Sequence, residues 1–221
     1  MAKDAEAAAI YGRRGSGKST LAKAMIAGRE KVVVFDPRAE YAARGRPAFD
    51  RLTDIGKHIS KNFQRGFQCA YVPPAGREAE ALHELVSRLW LAQWPYETGD
   101  DPRKLTLLIE EADLSYPVRS LPAHLNGMAR AVNQGRHAGL ELIAVTQRPA
   151  QISATFRANC AQTIIFPLAA DNDRQEVLRL IGRDKAQALR ELKAFHCLIC
   201  RDAQITSARI DKKGRISTKS I

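Results

Sequence analysis

The chain alternates two kinds of block: short apolar runs that close on a polar or glycine-bearing turn, and longer stretches with apolar residues on one helical face. Glu6 to Tyr11 is the first apolar run and ends at Gly12. Lys31 to Phe35 is β-branched and closes on Asp36-Pro37, Gln68 to Val72 ends at Pro73-Pro74, and Leu105 to Ile109 runs unbroken into Glu110-Glu111. Leu140 to Val145 and Thr163 to Leu168 repeat the pattern, and Phe195 to Cys200 with Gln204 to Ile210 reads as an antiparallel pair near the end. Such continuous runs suit strands buried on both faces. Between them, helices are predicted over Lys18 to Ala27, with Gly28 past the end, and near Asp54 to Asn62. Glu78 to Trp94 carries Ala79, Leu82, Val86 and Leu89 on one face, and Leu121 to Gln134 carries Leu125, Met128, Ala129 and Val132. Asp173 to Ile181 and Lys185 to Leu192 complete the set. Strands alternating with helices predict an α/β fold: a mostly parallel β-sheet flanked by helices, with a C-terminal antiparallel strand pair. One domain is expected over residues 1–210, followed by a basic, mobile tail over 211–221.

The turn after the first strand carries chemistry. Gly12-Arg13-Arg14-Gly15-Ser16-Gly17-Lys18-Ser19 matches GxxxxGK[ST], placed between a strand and a helix as a phosphate-binding loop requires. Glycines let backbone N–H groups approach phosphate oxygens, and the following helix points its positive end at the same anion. Lys18 is expected on the β- and γ-phosphates, the Ser19 hydroxyl on Mg²⁺, and Thr20 at the next position. ATP and Mg²⁺ are the implied ligands. A hydrolytic site also needs a carboxylate on the metal side and a base for water. Glu110-Glu111, at the end of a buried strand, supplies both: Glu110 is assigned to the metal and Glu111 to the water. An aspartate is usual at the first position, so the division between the two stays open.

Charge changes the picture of partners. The 221 residues carry 35 Lys+Arg against 24 Asp+Glu, a formal net charge of +11. That excess favours a polyanion, nucleic acid first, with a membrane surface as the alternative. Arg38, Arg44, Arg46, Arg51, Lys57, Lys61 and Arg65 form one basic stretch, and Arg209, Lys212, Lys213, Arg215 and Lys219 another. Few aromatics interleave them, which fits backbone tracking of a duplex better than stacking on single strands. No apolar run approaches the ~20 residues of a membrane span, and no signal-peptide pattern opens the chain, so a soluble cytoplasmic protein without membrane insertion is expected. Cys197-Leu198-Ile199-Cys200 has CxxC spacing but sits within a predicted strand, where residues three apart face opposite ways. Cys69, Cys160, Cys197 and Cys200 are therefore read as structural thiols.

From Met128 the chain runs Met-Ala-Arg-Ala-Val-Asn-Gln-Gly-Arg-His-Ala-Gly-Leu-Glu-Leu-Ile-Ala-Val-Thr-Gln-Arg-Pro. This resembles the FtsK/HerA family of DNA-pumping ATPases, whose pattern is a helix ending in Gly-Arg-x-x-Gly, a strand, then Thr-Gln-Arg-Pro. Asp36-Pro37-Arg38-Ala39-Glu40-Tyr41 and Glu110-Glu111-Ala112-Asp113 resemble two further family segments. The resemblance, over about Ala7 to Asp202, implies a RecA-like ring motor, usually hexameric, threading double-stranded DNA. It makes Gln147 the γ-phosphate sensor and Arg136 the finger into a neighbouring subunit's ATP, with Arg130 and Arg148 as alternatives. Arg119 is a candidate for a ring pore. A bare motor of this size resembles the genome-packaging ATPases of membrane-containing icosahedral phages, which implies capsid or portal-vertex partners and a host-cytoplasmic or virion-associated location. A cellular translocase for DNA processing or transfer, and a P-loop kinase, are the alternatives.

Overall fold

The computed structural model describes residues 6–41, 46–202 and 204–219. Arg44, placed above in a basic stretch, lies outside them. The described residues form one sheet of ten strands: β1 (Ala7–Tyr11), β2 (Lys31–Phe35), β3 (Ala48–Phe49), β4 (Phe67–Tyr71), β5 (Leu105–Ile109), β6 (Leu140–Thr146), β7 (Gln162–Ile165), β8 (His196–Arg201), β9 (Gln204–Ile210) and β10 (Ile216–Lys219). Their order is β10-β9-β8-β7-β1-β6-β5-β2-β4-β3. The run from β7 to β3 is parallel, whereas β8, β9 and β10 add on antiparallel. The antiparallel extension is therefore three strands, not a pair. Residues expected to form a mobile tail turn back at Asp211 to Gly214 and pair with β9, Ile216 opposite Ile210.

The helices are α1 (Lys18–Ile26), α2 (Leu52–Asn62), α3 (Glu78–Ala92), α4 (Trp94–Glu97), α5 (Ala112–Ser115), α6 (Gly127–Gln134), α7 (Ala154–Asn159), α8 (Asp171–Ile181) and α9 (Ala186–Glu191). They divide unequally between the faces. Alternate residues of β2, Val33 and Phe35, face a large core built with α2, α3 and α5 to α9, while Val32 and Val34 face a smaller one built with Leu21, Ala22 and Ile26 of α1. The alternation also separates the CxxC pair: Cys197 is buried in the smaller core and Cys200 packs against the larger.

One helix is shorter than its apolar pattern. The periodicity from Leu121 suggested a continuous helix to Gln134, yet Leu121 to Asn126 is a turn, closed by the Leu125 N–H on the Pro122 carbonyl. Helix α6 starts at Gly127, whose N–H donates to His83 Nδ1 at 2.9 Å, and a Cβ there would meet the His83 carbonyl oxygen at 2.9 Å. Close contact with α3 sets that start. At the other end, Gly139 has φ 65° and its hydrogen faces the Tyr96 ring, which a Cβ would meet at 2.6 Å. The second glycine of Gly-Arg-x-x-Gly thus has a packing reason.

Candidate active site

Strands β1, β6, β5 and β2 are adjacent and parallel, so four loops leave the same edge of the sheet side by side. This is the carboxyl edge, where open α/β sheets bind ligands. The loops begin at Gly12, Gln147, Glu110 and Asp36. Between them lies a cavity of about 340 Å³ lined by Arg14, Gly15, Lys18, Ser19, Asp36, Arg38, Glu40, Glu110, Glu111, Val145, Thr146 and Gln147.

The phosphate loop is held from both sides. Gly12 donates its N–H to Thr146 O at 3.3 Å and Arg13 to Pro167 O at 2.7 Å. A Cβ at Gly12 would stand 2.5 Å from Phe166 Cβ and 2.7 Å from Ser16 Oγ, so a side chain there would displace the loop. Phe195, just before β8, donates its N–H to Ser16 O at 2.8 Å. Lys18 is buried at the mouth of α1, and its ammonium donates to Arg13 O at 3.1 Å. Burial lowers its pKa, opposed by Glu111, Glu110 and Glu40. Ser16 Oγ is buried without a hydrogen-bond partner among the described residues. A buried polar atom left so is costly unless a ligand completes it. This cradle, an ammonium and an unpaired hydroxyl at a helix N-terminus, fits a polyphosphate. The hydroxyl of Ser19 and the carboxylate of Glu110 offer hard oxygen donors, which fit Mg²⁺ sharing its remaining ligands with phosphate and water. Thr20, in the first turn of α1, lines an adjoining recess with Lys23, Lys212 and Lys213.

The two glutamates meet different partners. Glu110 accepts a hydrogen bond from Tyr41 Oη at 3.1 Å. Its pKa is pushed up to about 7, first by burial, with Glu40 and Glu111 adding and the Tyr41 bond opposing. Glu111 has a left-handed backbone (φ 46°), which turns the chain into α5, and its Oε1 accepts from Gln147 Nε2 at 3.1 Å. Below them, Asp113 Oδ1 accepts the Thr146 hydroxyl at 2.5 Å, and Thr146 Oγ1 accepts the Arg148 N–H at 2.9 Å. The acidic motif and the Thr-Gln-Arg-Pro motif are thereby tied together.

The arginines separate. Arg148 is paired within its own chain: its Nε donates to Asp173 Oδ2 at 3.0 Å, and Asp173 Oδ1 accepts the Ala150 N–H. Arg130 stacks on Trp90, 3.8 Å from the ring centroid. Arg136 is exposed and precedes β6, so it lies at the amino edge of the sheet, away from its own phosphate loop. Arg119 is exposed in the loop after α5. Asp36, Tyr41 and Asp113 fall in segments whose family likeness is noted above, but the sequence assigns them no role; the structure makes them supports of the site. The fully buried Asp36 accepts the N–H groups of Glu40 and Tyr41 at 3.0 and 2.8 Å. A signal was present, since Asp36 leaves β2 as Gly12 leaves β1, at the end of a buried parallel strand.

No family model and no curated protein matches the sequence. Among solved structures, the chain is similar to the genome packaging NTPase B204 from Sulfolobus turreted icosahedral virus 2 in complex with AMPPCP: TM-score 0.72, 21% identity, covering 92% of this chain and 96% of that one. The DNA-packaging ATPase B204 from Sulfolobus Turreted Icosahedral Virus gives 0.70, 22%, 94% and 98%. The pCW3 conjugation coupling protein TcpA gives 0.58 and 16%, with 92% of this chain on 59% of that one. The chain shares with these proteins the P-loop NTPase fold: a mostly parallel sheet between helices, extended by antiparallel strands at the C-terminal end.

Proposed function

We propose that this chain is an ATPase that moves double-stranded DNA, acting as a viral genome-packaging motor in a ring, most simply a hexamer, docked on a capsid or portal vertex in the host cytoplasm. The observation that carries the reading is the convergence at one sheet edge of the phosphate loop, Glu110, Glu111 and Gln147. Backbone N–H groups of the loop and the Lys18 ammonium bind the phosphates. Ser19 and Glu110 would hold Mg²⁺, which supplies charge neutralisation between the β- and γ-phosphates. Glu111 orients the attacking water and takes its proton. Gln147, bonded to Glu111 at 3.1 Å, holds that carboxylate and lines the same cavity, from which its amide would sense a terminal phosphate. An enzyme of this kind needs phosphoryl-transfer charge stabilised, and Arg136 of a neighbouring subunit is our candidate for that role.

The similarity to two structures of a packaging NTPase, one with a triphosphate analogue, and the charge of +11 support packaging of DNA. The similarity to a conjugation coupling protein supports a second reading, a translocase in DNA transfer. The test is ATP turnover with and without duplex. Glu111→Gln is expected to keep triphosphate binding and to lose hydrolysis by about 10²-fold or more. Retained turnover in this variant removes the base assignment, and turnover that duplex leaves unchanged while a small acceptor is phosphorylated replaces the motor with a kinase.

A further inference from the structure

The basic residue Arg38 falls in a stretch whose composition suggests DNA contact. In the structure Arg38 also lines the cavity shared with Lys18, Glu110, Glu111 and Gln147. We propose that Arg38 is a catalytic residue acting within its own subunit, contacting the terminal phosphate of the nucleotide from the wall opposite Lys18. The assignment rests on the ATPase reading above and deepens it.

Three observations carry it. The first is position: of the cations lining the cavity, Arg14 and Lys18 belong to the phosphate loop, whereas Arg38 comes from the loop after β2, across the acidic pair. The second is availability. No hydrogen bond or ion pair engages the Arg38 guanidinium among the described residues, in contrast to Arg148 on Asp173 and Arg130 on Trp90. The third is preorganisation. Asp36 takes the N–H groups of Glu40 and Tyr41, and the Ala39 N–H bonds the Asp36 carbonyl at 3.1 Å. Tyr41 is buried and its hydroxyl reaches Glu110. Ala39, between Arg38 and Glu40, holds a left-handed backbone with φ 55°. A non-glycine residue keeps that conformation only where its surroundings fix it, and such strain gathers at functional positions. The loop is thus pinned on both sides of Arg38, with its guanidinium left unengaged. A planar fork of donors suits a phosphate carrying two free oxygens, and a donor already in position stabilises charge as it develops.

The test compares wild type, Arg38→Ala and Arg38→Lys as full chains. Affinities for a non-hydrolysable ATP analogue and for ADP are measured, with ATP turnover and the salt dependence of duplex binding. Arg38 is exposed, so both variants are expected to fold, checked by their melting curves. The expected result is selective: Arg38→Ala weakens the triphosphate analogue by about tenfold or more relative to ADP and lowers kcat/KM at least as much. Arg38→Lys recovers part of the affinity, because it keeps the charge and loses the fork. The salt slope of duplex binding stays as in wild type. The assignment is overturned if analogue and ADP affinities fall together or neither falls, or if turnover is kept and the salt slope drops by about one, the mark of a lost DNA phosphate contact. Wild-type protein that does not bind or hydrolyse ATP overturns the proposed function itself. Unchanged discrimination in Arg38→Ala beside an active wild type overturns only the role of Arg38.

Discussion

Glu110 and Glu111 are neighbours in sequence with opposite surroundings. Glu111 meets an amide donor, while Glu110 is half-buried against Tyr41, and its desolvation raises its pKa to about 7. A carboxyl raised in the fold contributes stability below its unfolded pKa, near 4.5, and that contribution is lost as pH rises through 7. Above pH 7 the nucleotide-free protein therefore carries the cost of a partly desolvated carboxylate. Glu110→Gln keeps an oxygen for Tyr41 and removes the charge. In the absence of nucleotide and metal it is expected to gain about 1–3 kcal/mol over wild type at pH 8, and much less at pH 5. Thermal melts at the two pH values measure this, and a gap that does not change with pH refutes it. The phosphate loop was legible because the spacing of its glycines, Lys18 and Ser19 is local. The partners of Glu110 and Glu111 were not, since Tyr41 and Gln147 reach them across 69 and 36 residues.

At the level of elements, long runs were readable and short pieces were not. β2 and β5 appear at the bounds their runs predict, because every position of each is buried and both runs stop abruptly at an acidic residue, Asp36 or Glu110. Helices α5 and α7, with four and six residues, are too short to show a period. The apolar pattern over Leu121 to Gln134 misled because Leu125 is buried from a turn, not from a helix. The loop after β6 depends on an element far along the chain. Asp173, buried at the start of α8, takes both the Arg148 guanidinium and the Ala150 N–H. Asp173→Ala leaves that N–H without its acceptor, at a cost of about 1–3 kcal/mol. We expect a melting temperature lower by several degrees and slower ATP turnover, because Gln147 sits in the same turn. Unchanged melting would mean that the turn is held by Thr146 and Asp113 alone.

At the scale of the molecule, the sheet separates two proposed halves of one reaction. The phosphate loop and the acids lie at its carboxyl edge, and Arg136 at its amino edge. A finger so placed serves only another copy, in a head-to-tail contact of the kind that closes into rings. Arg136→Ala and Lys18→Ala should each be inactive alone. An equal mixture should recover up to about a quarter of wild-type turnover, the share of contacts pairing an intact loop with an intact finger. A mixture as inactive as its components rules out the arrangement.

The place of β1 bears on how the protein is made. Ala7 pairs with Leu142 on one side and Ala8 with Gln162 on the other, so β1 is translated well before both of the strands that flank it. At ~5–20 residues per second, a ribosome exposes the β1 segment for roughly 8 to 30 seconds before both flanking strands emerge. Residues 12–19 leave the ribosome early, yet they become a nucleotide site only once the chain beyond Gln162 has arrived. A nascent chain stalled before that point should bind no ATP, and the apolar β1 segment would be the one for a chaperone to hold meanwhile.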